Sequence, residues 1–233
     1  STLPTFKNLG DLTPGLNVLL AQKTEGASSK QTRNRAGKSS FVELVHFLTG
    51  SEAGPDSIFR TPDLAEYTFG MDFDLGDART VVERSGSAKA KIYVTTPPAA
   101  KVKYSATDWC AFLGESMFGL SSLEAAGSKP PSFRSLFAYF VRRQASSAFT
   151  TPEKQAGMQG TGDMQMALMF LLGLDWQIAR DWQVVRDREK TLEELKKAAG
   201  TGAFGSIIGK AADLRTQLTL QESRLKKLYA ENE

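Results

Sequence analysis

The heptapeptide Asn34-Arg35-Ala36-Gly37-Lys38-Ser39-Ser40 constrains this chain more than any other stretch. It follows an apolar run at residues 15–21 (GLNVLLA), which reads as a strand. It opens a run in which Phe41, Leu44, Val45 and Leu48 recur at helical spacing until Gly50. A strand, a loop ending in Gly-Lys-Ser and a helix form the context of a phosphate-binding P-loop. That chemistry needs these residue types: backbone N–H groups and the helix dipole face the phosphates, a lysine reaches the β- and γ-phosphates, and a hydroxyl ligates Mg²⁺. The reading assigns phosphate contacts to the backbone of Asn34, Arg35, Ala36 and Gly37. Charge falls to Lys38 and the metal to Ser39, with Ser40 beside it.

Two positions depart from the pattern. G-x-x-x-x-G-K-[ST] places a glycine where this chain has Thr32, and Arg35 stands where ATPases of the ABC kind carry a further glycine. Glycine is used where φ is positive or a ligand comes close. Arg35 therefore either diverts the loop and projects over a nucleotide, or points outward and tolerates it.

The remaining sequence divides by periodicity. Residues 6–12 read as a strand ahead of the turn Thr13-Pro14-Gly15, and residues 22–35 form a long polar loop. Alternation over residues 66–96 predicts antiparallel strands at 67–74, 80–84 and 91–94, a small meander. Helices are predicted at 107–114 and, after Pro130-Pro131-Ser132, at 133–143. A polar loop at 146–162 precedes the apolar residues 164–174, read as a helix and its stop. Then Ile178, Val185, Leu192 and Ala199 recur every seven residues, with Leu195 between, and Leu214, Leu218, Gln221, Leu225 and Leu228 make a second seam. Glycines at 200–209 separate them. A coiled-coil arm and an amphipathic helix packed on the domain satisfy this pattern equally.

Composition narrows the class. At 41% hydrophobic and 24% charged, with a net charge of +3, the 233 residues describe a globular chain and exclude collagen-like repeats and wholesale disorder. One cysteine, Cys110, excludes an intrachain disulfide. With a single histidine, His46, no Cys/His metal cluster is available, and the compartment reads as reducing and cytoplasmic. Apolar runs stop short of a membrane span. The start at Ser1 and the end within a charged helical pattern read as a piece of a longer protein.

Residues 6–9 (FKNL), 15–21 and 34–44 resemble the amino-terminal head half of SMC-like ABC ATPases, among them the double-strand-break repair ATPase and poorly characterised bacterial SMC-like ATPases. Tyr139-Phe140-Val141-Arg142-Arg143-Gln144 resembles the segment carrying the Q-loop glutamine, and Leu172-Gly173-Leu174-Asp175 the turn before the first coiled-coil arm. The resemblance implies a partial P-loop α/β head at 1–175, with its helical subdomain at about 104–174, and an arm from 176. It implies ATP and Mg²⁺ as cofactors, with Gln144 approaching the metal and the attacking water. It also implies a second ATPase head, double-stranded DNA and a nuclease or accessory subunit as partners. The Walker B carboxylates, the signature motif and the switch histidine, which the family carries after its coiled coil, are missing from this sequence. ATP hydrolysis by this chain alone is therefore expected to be weak or absent.

Other features read as structural. Gln144 alone reads as a solvated helix-end residue, and the resemblance brings the two readings level. His46 reads as a packed or capping residue, and Asp72, Asp74 and Asp77 as a wet sheet face. Trp176 and Trp182 read as packing anchors. Gly205-Ser206-Ile207-Ile208-Gly209-Lys210 lacks both the hydroxyl residue and the preceding strand of a phosphate loop. Lys and Arg gather at 30–38, 142–143 and 186–197, yet +3 is too small a charge to demand a nucleic acid. Kinase or GTPase acceptor motifs are lacking. The rival class is a P-loop-shaped scaffold, inactive through Thr32 and Arg35, whose helices recruit a partner.

Overall fold

A computed structural model describes residues 1–4, 10, 12–19, 37–125, 129–200 and 211–230. The first unit, Ser1–Trp176, is mixed α/β, and the second is Gln177–Glu233.

In the first unit the strands are β1 (Thr68–Leu75), β2 (Ala78–Ser85), β3 (Ile92–Thr95) and β4 (Val102–Tyr104), paired antiparallel in that order. The β1–β2 register is fixed by a two-residue turn in which Gly76 adopts φ 61°, so that Leu75 faces Ala78. Alternation then turns Thr80, Val82 and Arg84 of β2 inward. The meander thus extends the predicted one by a fourth strand, β4, too short to show a period of its own.

Helix α1 (Lys38–Leu48) covers the inner face. Phe47 stacks on Phe59 at 4.5 Å between ring centroids, and Phe59 meets Phe69 of β1 edge-on at 5.1 Å. Helix α2 (Ala106–Phe118) starts where Ser105 Oγ accepts from Asp108 N at 3.1 Å, and stops at Gly119, φ 65°. It buries Trp109 and Leu113, and the short α3 (Leu120–Ala125) follows.

Helix α4 (Phe133–Phe140) begins behind Pro130-Pro131, with Ser132 Oγ accepting from Ser135 N at 3.1 Å. It ends three residues before the predicted boundary, because the backbone leaves helical geometry at Val141. The apolar run becomes α5 (Thr161–Leu171), turned at Gly173 with φ 69°. Asp163 joins α5 to α4 through Ser135 Oγ at 2.9 Å, and Trp176 is buried beside Phe170.

The heptad segments are helices α6 (Trp176–Gly200) and α7 (Ala211–Ala230). Their seams face solvent: Val185, Leu192, Leu195, Leu214, Leu218 and Leu225 are all exposed. Trp182, expected as an anchor, is 59% exposed. The glycines at 201–209, with the phosphate-loop-like 205–210, lie outside the described residues.

The strands expected ahead of the helix, at 6–12 and 15–21, do not occur among the described residues. Residues 15–19 of the strand expected at 15–21 are described and carry no strand; there Asn17 closes a local turn onto Thr13 and Gly15. Most of the strand expected at 6–12 lies outside the described residues. No described helix is long and apolar enough to cross a membrane.

Candidate functional site

Of the heptapeptide, Gly37, Lys38, Ser39 and Ser40 are described; Asn34, Arg35 and Ala36, like Thr32, lie outside the described residues. Gly37 takes φ 76° as the residue before α1, a left-handed turn that a glycine enters without strain. Among the described residues no side chain caps this end, and Gly37 to Ser40 are exposed. The first-turn N–H groups of a helix have no partner within the helix, so this end presents donors, positive dipole potential and the Lys38 ammonium on one exposed surface.

Gln144 is exposed in a single 3₁₀ turn, Gln144–Ser146, behind α4. Two contacts hold that turn against α1: His46 Nε2 donates to Val141 O at 2.7 Å, and Arg143 Nη2 pairs with Glu43 Oε2 at 3.1 Å. Ser39 and Gln144 therefore belong to segments that the fold ties together. Arg142 faces inward as a loop fastener, donating to Ala148 O at 3.0 Å and Pro152 O at 2.5 Å. Arg142 is thus spent on internal contacts, whereas Arg143 pairs through Nη2 and leaves its Nε without a hydrogen-bond partner among the described residues.

The other end of α1 is closed by side chains from distant elements. Arg84 of β2, 2% exposed, sends Nη1 to Phe47 O at 2.5 Å and Ser51 O at 2.9 Å, while Nε donates to Lys89 O at 2.9 Å. Its guanidinium carbon lies 4.4 Å from the centre of the Phe47 ring. Trp109 Nε1 donates to Leu48 O at 3.0 Å, and Arg134 Nη1 to Thr49 Oγ1 at 3.1 Å. Orphan carbonyls at a helix C-terminus favour such cationic and N–H donors. Burial, with Arg134 repelling it, lowers the Arg84 pKa to about 10; burial and Arg143 do the same to Arg134. Cys110 also leans on this end, its Sγ 3.5 Å from Gly50 O. Burial pushes its thiol up against the pull of Arg134 and Arg84, which makes it a packing group and a poor nucleophile.

His46 is buried and its pKa is lowered to about 4, first by burial and then by Arg143 and Arg134, against the Val141 carbonyl. It is a packed, neutral histidine. Asp72 and Asp74 share an exposed face of β1 and pair with Arg79 across the hairpin at 2.6 and 3.2 Å, while Asp77 sits in the turn. No cluster of three metal-ligating His, Cys, Asp or Glu occurs among the described residues.

Sequence reading missed Arg84 and Arg134. Arg84 carried one usable signal: it falls in phase with the inward Thr80 and Val82. Arg134 carried none, because its partners Thr49 and His46 lie 85 and 88 residues away.

No protein-family profile, curated protein or solved structure matches the chain.

Proposed function

We propose that this chain is the ATP-binding half of an SMC-like ATPase head of the P-loop type, acting in DNA repair or in defence against foreign DNA, with ATP drawing two heads together. One observation carries the reading: an uncapped, exposed helix start with Lys38 and Ser39 behind a left-handed Gly37, on the helix to which the Gln144 segment is tethered. Those groups fit a nucleotide with its Mg²⁺. Lys38 would neutralise phosphate charge, the first-turn N–H groups would donate to phosphate oxygens, and Ser39 with Gln144 would supply oxygen ligands to the hard cation. Bound magnesium would withdraw charge from the phosphates. The second head, double-stranded DNA and a nuclease or accessory subunit follow from the resemblance. The solvent-facing seams of α6 and α7 support an arm.

Those same seams favour a second reading, a nucleotide-free scaffold that recruits its partner through the helices. Calorimetric titration of ATP·Mg²⁺ separates the two. Saturable binding that Lys38→Ala abolishes supports the ATPase head. Absence of binding to a folded chain, with affinity gained in Arg35→Gly, supports the scaffold.

A further inference from the structure

A cleft of about 120 Å³ lies where α1, α4 and the turn behind α4 meet, walled by His46, Arg134, Val141, Arg143, Ser146 and Gln155. It far exceeds the roughly 10–15 Å³ that a single water needs. Its hydrogen-bonding capacity is biased. His46 uses one ring nitrogen on Val141 O and the other on Arg134 Nη2, so neither faces the cleft free. Arg134 and Arg143 are donors only. Arg143 Nε is buried and has no hydrogen-bond partner among the described residues. Ser146 and Gln155 bring a hydroxyl and an amide to the same wall.

The charge is equally one-sided. Arg143 pairs with Glu43, the carboxylate that also acts on Arg134, whose own hydrogen bonds go to Thr49 and His46. Two guanidiniums thus share a single carboxylate, and one positive charge is left without an ionic partner among the described residues in a partly buried site. Water in the cleft would bring no charge. A small oxyanion would bring it, since charge-assisted bonds from guanidinium to oxyanion are among the strongest polar contacts.

We propose that this cleft binds one tetrahedral oxyanion, phosphate or sulfate, through the guanidinium groups of Arg143 and Arg134, with Ser146 and Gln155 completing the shell. The site is separate from the helix start. His46 lies eight residues along α1 from Lys38, roughly 12 Å at 1.5 Å per residue. It stands whether or not the chain binds nucleotide.

The test is calorimetric titration of inorganic phosphate, repeated with sulfate, into the whole chain in a chloride buffer at pH 7. The expected result, read in the Lys38→Ala background so that the start of α1 contributes nothing, is one saturable site that Arg143→Gln weakens about tenfold or more. Failure of both ions to saturate the folded chain overturns the proposal. Loss of binding in Lys38→Ala with retention in Arg143→Gln overturns it as well, placing the anion at the start of α1. Should Arg143→Gln fail to fold, Gln155→Leu decides: weaker phosphate binding supports the site, and unaltered affinity overturns it.

Discussion

Arg134 Nη2 lies 2.6 Å from His46 Nδ1. A guanidinium has no lone pair to offer, so the imidazole accepts at Nδ1 and its proton resides on Nε2, which donates to Val141 O. Packing therefore fixes both the charge and the tautomer of the sole histidine.

An acid-sensitive stability follows. The folded pKa of about 4 lies below the unfolded value of 6.5, so between these the unfolded chain binds a proton that the native one refuses. The contribution is complete above about pH 6.5 and drains away as pH falls towards 4, by about 3 kcal/mol at the limit. Denaturant unfolding between pH 4 and 7 should show this slope in the wild-type chain. In His46→Gln, whose amide can accept from Arg134 and donate to Val141, that component of the slope should vanish.

Arg84 closes the C-terminal end of α1 and has no carboxylate beside it among the described residues. Arg84→Met keeps much of the packing on Phe47 but strands the carbonyls of Ser51 and Lys89 and leaves Phe47 O with the 3.3 Å bond from Gly50 N. A loss of about 3 kcal/mol or more is expected in denaturant unfolding. Arg84→Lys should recover only part of it, since one ammonium cannot span the two sets of acceptors that the planar fork reaches.

Gly50 has φ 88°, and a Cβ there would stand 2.7 Å from Cys110 Sγ and 3.3 Å from Ala106 O. Gly50→Ala should cost about 2–4 kcal/mol from backbone strain and the clash together. Adding Cys110→Ala removes the sulfur but leaves the strain and the carbonyl contact. A double-mutant cycle should therefore give partial rescue, and full rescue would show that the backbone adapts freely.

Core and seam leucines should separate cleanly. Leu113 is fully buried and Leu192 is 51% exposed. Leu113→Ala is expected to lower stability by about 2–5 kcal/mol, whereas Leu192→Ala should stay within about 0.5 kcal/mol. A large effect of Leu192→Ala that depends on protein concentration would reveal a partner on the seam.

Local pattern determined the elements of this protein. Alternation from Tyr67 to Val94 set the hairpin and its inward face, because a two-residue period leaves one arrangement that buries Phe69, Val82 and Val94. Helical spacing behind Gly37 set α1, and the prolines at 130–131 with Ser132 set the start of α4. Tertiary structure decided what the charged residues do. Arg84, Arg134 and Arg143 are interchangeable in a sequence string. One closes a helix end and another tunes a histidine, while the third pairs with Glu43 and leaves a buried N–H unsatisfied. The physical reason is range: strand and helix periods are local, whereas the partners of these cations, Lys89 O apart, lie 33 to 100 residues away and meet them only once the core has closed.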